Sequence, residues 1–249
     1  MANLSMGARQ MINARQTVGE IANRKPSTIE VFERLGIQYC CHGDETLEAT
    51  CGYLGLSVNG VLSELNRVAD ANSTIKAPWA DPILEVLIEH LLRTRAVLIQ
   101  RDLPRIQLLA GTVSSCHLRE HPNAIHVAHL SGTLAHEVAS HFMEEAQILF
   151  PKIRELELAY VEGSSEKAKL GGVRSDLAQM THEHGAVGDL LSRIQDLTED
   201  YDATATTCAS YREICQKLKE LDGEVRQEVH LENNVLFNRA LQISEALYG

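Results

Sequence analysis

No apolar run in this 249-residue chain approaches the ~18–20 residues that span a bilayer, which excludes a membrane-crossing helix. The first ten residues, MANLSMGARQ, lack the hydrophobic segment of a secretory signal, so the expected location is the cytosol. Basic side chains are in the minority: 23 against 34 acidic ones give a formal net charge of −11. A surface of that sign repels phosphate backbones and argues against nucleic acid as a partner. Polar low-complexity tracts are absent and 44% of residues are hydrophobic, which excludes disorder. Six cysteines over this length do not form a disulfide-scaffold pattern. In a reducing compartment such thiols are more often free, catalytic or metal-binding. Against an aromatic content of only 4%, eleven histidines direct attention to a metal site.

What the chain does contain is helical periodicity, with weak strand signals throughout. Val18, Ile21 and Ala22, then Ile29, Phe32 and Leu35, recur at three- and four-residue spacing. Pro26 separates them into two short helices, with Ser27 or Thr28 a suitable cap for the second. Gly36 ends that helix, and a turn carries Cys40, Cys41 and His42. Asp44 or Thr46 can cap a third helix with Leu47 and Cys51, and a fourth follows from Val58. Residues 71–81 interrupt the pattern with small polar residues and Pro78. Beyond them, amphipathic patterns cover roughly residues 81–112, 124–160, 165–197 and 204–246. The expected fold is all-α: a small N-terminal helical domain over residues 1–72, a linker over 73–80, and a four-helix bundle over 81–249.

Polar residues that fall on the apolar stripes are informative, because a buried charge needs a partner or a metal. At about 100° per residue, the second bundle helix aligns Leu134, Val138, His141, Glu145 and Ile148. The third aligns Leu177, Met180, His184, Val187 and Leu191, and the fourth Leu218, Leu221, Val225, Glu228, Glu232 and Val235. Three acids and two histidines would thus face one core. Two neighbouring metal ions satisfy them all; a hydrogen-bonded polar layer without metal is the alternative. Nitrogen and oxygen donors without a thiolate favour iron or manganese over structural zinc. From the first bundle helix, His90 at the edge of the leucine stripe is the candidate ligand.

Four segments carry a family resemblance. GEIANRKPSTIEVFERLGIQYCCHG, from Gly19 to Gly43, resembles the short N-terminal domain of the Repair of Iron Centres family. HFMEEAQILFP from His141, MTHEHGAVGDLL from Met180 and HLENNVLFNRAL from His230 resemble the later motifs of its hemerythrin-like domain, in the same order. The resemblance implies two non-haem iron ions, with His141, Glu145, His184 and Glu232 as ligands and the two glutamates bridging. Two positions depart from it. Ala96 stands near the place of a first-helix histidine, and Glu228 replaces a histidine four residues before Glu232. The expectation is that Glu228, not His230, enters the ligand set, and that His90 or water fills the gap at Ala96.

The implied function is repair or protection of iron–sulfur clusters damaged by nitric oxide or oxidants, through iron donation or nitric oxide reduction. Its partners would be damaged iron–sulfur proteins or apo-clusters, nitric oxide and an external electron donor, with a homodimer possible. A hemerythrin-like oxygen- or iron-sensing module without turnover is the alternative. Cys40 and Cys41, next to a helix start whose partial positive charge favours thiolate, are candidates for thiol exchange or transient iron binding.

Overall fold

Residues 11–71, 79, 83–116, 123–163, 172–204 and 208–248 are described by a computed structural model. They divide into two compact units, one reaching to Asp81 and one beginning at Pro82. No β-strand forms among them, only an isolated antiparallel bridge between Thr17 and Thr46, so the chain is all-α. No described helix is long and apolar enough to cross a membrane. Apart from Trp79, the segment read as a linker over 73–80 lies outside the described residues.

The first unit holds α1 (Val18–Arg24), α2 (Ile29–Arg34), α3 (Leu47–Leu54) and α4 (Val58–Ala71). Every helix start leaves backbone N–H groups without intrahelical acceptors. Here Thr17 Oγ1 accepts from Glu20 N–H at 3.2 Å, and Thr46 Oγ1 accepts from Ala49 N–H at 3.3 Å. The next orphan donors are met across the unit: Val18 N–H donates to Glu45 O and Gly19 N–H to Gly43 O, both at 2.9 Å. Leu47 N–H returns the tie to Gln16 O at 3.0 Å. The front ends of α1 and α3 thereby clamp the turn that carries Cys40, Cys41 and His42. Ser27 and Thr28 do not cap α2 as expected. A 3-10 turn over Pro26–Thr28 leads into the helix, and the Thr28 hydroxyl instead donates backwards to Lys25 O at 2.7 Å. Gly55 closes α3 at φ 66°, a left-handed geometry that costs glycine little.

The second unit holds α5 (Leu84–Val97), α6 (Leu103–Cys116), α7 (Ala124–Glu144), α8 (Phe150–Glu162), α9 (Val173–Leu197), α10 (Ala209–Leu231) and α11 (Phe237–Tyr248). Single π-helical turns join three pairs into continuous rods: Leu98–Asp102 between α5 and α6, Glu145–Leu149 between α7 and α8, and Glu232–Leu236 between α10 and α11. Helix α6 packs on α7 and α10, α7 on α9, and α8 on α5 and α11, giving a four-helix bundle. Leu84, Leu87, Ile88, Leu91, Leu134, Val138, Leu177, Leu191, Leu218 and Val225 are buried along its axis. Each such side chain contributes roughly 1.5–3 kcal/mol of transfer free energy.

Uniform 3.6-residue periodicity places Ile148 inside, and the structure does not. Ile148 is 50% exposed while Leu149 is 1% exposed. The π turn inserts one residue into the rod, so the inward face passes from Glu145 to Leu149 and Phe150.

Removing the cap of α3 should loosen the clamp on the cysteine turn. Thr46→Ala is expected to lower stability by about 1 kcal/mol, while Thr46→Ser stays near wild type. Urea denaturation, with hydrogen exchange at the first turn of α3, measures both; equal stability of all three chains contradicts the capping role.

Candidate metal centre

His141 lies in the last turn of α7, Glu145 one turn on begins the π turn that follows, and His184 comes from the middle of α9. Glu228 lies in the last turn of α10, and Glu232 begins the π turn that follows. All five side chains are buried. Two of the three π turns therefore begin at a buried glutamate of this cluster, a placement typical of π turns at functional sites.

Outer hydrogen bonds set the direction of both imidazoles. His141 Nδ1 lies 3.0 Å from Glu183 Oε2, and His184 Nδ1 lies 2.8 Å from Asn233 Oδ1. Carboxylate and amide oxygens only accept, so each Nδ1 carries a proton and each ring turns its Nε2 inward. His141 Nε2 then faces Glu145 Oε1 at 3.5 Å. His184 Nε2 faces Glu145 Oε1 at 3.6 Å and Glu232 Oε2 at 3.2 Å. In a dry interior an Nε2 lone pair and a carboxylate oxygen repel unless a proton or a metal cation lies between them. The ligand atoms of His141, Glu145 and His184 all lie within 4.8 Å of one another, and this is the single such group among the described residues. Two imidazoles and a carboxylate with anchored outer nitrogens fit a metal ion of the iron type.

Ionisation follows from the same contacts. Burial disfavours the cationic form of His141, but Glu145 and Glu183 outweigh it and raise the pKa, against opposition from Arg95. Burial likewise disfavours the Glu145 anion, and Arg95, His141 and His184 together hold its pKa far below the usual carboxylate range. At Glu228, burial prevails over Arg95 and Thr94, and the pKa is raised.

The residue that α5 contributes is Arg95, which the sequence reading missed. Its Nη1 lies 2.7 Å from Glu145 Oε2, its Nε 3.5 Å from Glu228 Oε2, and its Nη2 contacts Glu232 Oε1. The guanidinium carbon stands 4.2 Å over the centre of the Phe142 ring and 5.1 Å from that of Phe150. His90, the expected contributor, stays outside the close group. It is half-buried, and its pKa is lowered by burial and by Arg93. The helix edge it shares with Ile83 and Val97 faces solvent, since those residues are 66% and 47% exposed. Ala96 is exposed as well, so it leaves no gap in the centre. Glu228 joins the cluster through Arg95 and is not in the close group. His230 is buried elsewhere, with Nδ1 3.2 Å from Asn234 Nδ2.

Among the remaining histidines, His126, His129, His136 and His182 are exposed, and His117 and His121 lie outside the described residues. A cleft of about 220 Å³ between α7 and α9 opens beside His141, lined by Glu137, Ser140, Glu144 and Glu183. In the first unit, Cys40 is buried, Cys41 is half-buried, and neither is in a disulfide, their Sγ atoms standing 3.4 Å apart.

Comparison with known proteins agrees with this division. The hemerythrin HHE cation binding domain matches residues 98–240, and ScdA_N, a domain of unknown function (DUF542), matches residues 14–69. The iron-sulfur cluster repair protein ScdA of Staphylococcus epidermidis is 23% identical over 232 residues, covering 92% of this chain and 99% of its own. The iron-sulfur cluster repair protein YtfE of an Enterobacter species is 29% identical over 226 residues, covering 91% of this chain and 96% of its own. Its counterpart from Escherichia coli is 28% identical over the same length. The chain therefore belongs to the hemerythrin HHE family, in the two-module form of the Repair of Iron Centres proteins.

Proposed function

We propose that this chain serves the repair of iron–sulfur clusters by holding iron at the bundle centre and delivering it to apo-clusters. The observation that carries the reading is the convergence of His141 Nε2 and His184 Nε2 on buried carboxylate oxygens, with both Nδ1 atoms anchored from behind. The relatives named as iron-sulfur cluster repair proteins, which match over nearly their whole length, supply the process.

Delivery is favoured over nitric oxide reduction by two features. Glu183 both orients His141 and lines the cleft beside it, so a cation passing through that acidic opening meets carboxylates up to the ligand itself. Reduction of nitric oxide to nitrous oxide needs two ferrous ions side by side and an electron source. Here Arg95 contacts the three glutamates on which a second ion would draw. Cys40 and Cys41 remain candidates for receiving iron or exchanging thiols at the other end of the chain.

Protein loaded with ferrous iron without oxygen, then mixed with an apo-ferredoxin and sulfide, is expected to lose iron as the visible absorption of a cluster appears. No nitrous oxide should form when the loaded protein meets nitric oxide. Iron retained while the ferredoxin stays colourless would instead favour the sensing alternative and count against delivery.

The outer hydrogen bonds give a second expectation. Asn233→Leu should weaken iron binding by about 10–100-fold, because His184 loses the acceptor that fixes its ring. Competition with a chelator measures the affinity, and circular dichroism checks the helices. Unchanged affinity in a folded variant contradicts the assignment of His184.

A further inference from the structure

We propose that the centre takes one metal ion and that the guanidinium of Arg95 holds the place of a second. This rests on the reading that the bundle centre binds iron.

The carboxylate oxygens divide between two sides. Glu145 turns Oε1 toward His141 and His184 and Oε2 toward Arg95. Glu232 turns Oε2 toward His184 and Oε1 toward Arg95. Both glutamates thus bridge, but between an imidazole-lined pocket and a guanidinium rather than between two metal pockets. Two imidazoles with one carboxylate are the donor set that holds a single ferrous ion with open positions. On the other side, among the described residues, no imidazole joins the close group: His90 and Ala96 stay outside it, Glu228 is turned to Arg95, and the buried His230 is in contact with Asn234.

Charge gives the same count. Even with all three carboxylates ionised, they and one guanidinium sum to −2, which one ferrous ion neutralises. A second divalent ion would leave a surplus of +2 in a dry core, next to a group that does not deprotonate in proteins. Nor is Arg95 free to swing away. Its plane is held against Phe142 and Phe150, and its departure would leave buried anions without their counter-ion.

The test is metal stoichiometry with a spectroscopic readout on the full chain. After anaerobic incubation with excess ferrous iron and desalting, plasma mass spectrometry should find one iron per wild-type chain. After oxidation, paramagnetic resonance should show the high-spin ferric signal of an isolated ion. Arg95→Lys, which keeps the charge, should stay at one iron. Arg95→His, which exchanges the permanent cation for a ligand, should take up a second iron and lose that signal through spin coupling. If the histidine variant does not fold, the wild-type measurement still decides. Two irons per wild-type chain in a coupled, resonance-silent pair would overturn this proposal alone. A chain that binds no iron would overturn the metal reading beneath it as well.

Discussion

Three carboxylates enclosed in the dry axis of a four-helix bundle set the terms for everything around them. An isolated anion there costs several kcal/mol even after the protein relaxes, more than any one apolar contact in the stripes returns. The bundle answers from two directions. Arg95 brings a fixed positive charge from α5, and the paired imidazoles of α7 and α9 shape a pocket for a mobile one. Fold and site are thus not separate layers: the helices that bury leucines also bring these charges within reach of each other.

The outer partners are as necessary as the inner ones. Without Glu183 and Asn233, either imidazole could present a proton inward and satisfy the carboxylates by itself as an ordinary hydrogen-bonded pair. With Nδ1 engaged, that escape requires a doubly protonated ring, and the polar cluster becomes a receptor for a cation. One acid, Glu183, sits at the boundary between the dry interior and the open cleft, where the preference for charge changes over a few ångströms.

Much of this was legible in the sequence, and the misses have identifiable causes. His141, Glu145, His184, Glu228 and Glu232 were found because one helical period places each on a run of leucines and valines. Arg95 obeys the same rule, continuing Leu84, Ile88, Leu91 and Leu98 along α5. Its type hides it: side chains that ligate metals carry lone pairs, and a guanidinium has donors only. Ala96, read as standing near the place of a first-helix histidine, is exposed, and Arg95 beside it is the residue of α5 that faces the cluster. The π turn at Leu98–Asp102, which follows on the same rod, is invisible to a fixed 100° step. The same kind of insertion exposed Ile148. The thiol turn was located by its glycines and threonines, but the backbone bonds within the first unit that hold it depend on contacts no local pattern reports.

The three π turns divide the bundle into two halves. Helices α6, α7 and α10 pack together on one side of them, α5, α8 and α11 on the other, and α9 alone runs through without interruption. The buried charges sit at this join, where each rod has slipped by one residue. Loss of a single residue from such a turn would restore a regular helix with the two flanking stretches still in phase, and would redirect the side chains of the turn itself, Glu145 or Glu232 among them. A deletion in the regular part of a rod would instead turn everything beyond it by about 100°; the π turns are the places where these rods absorb an odd residue while both halves keep their leucines facing inward.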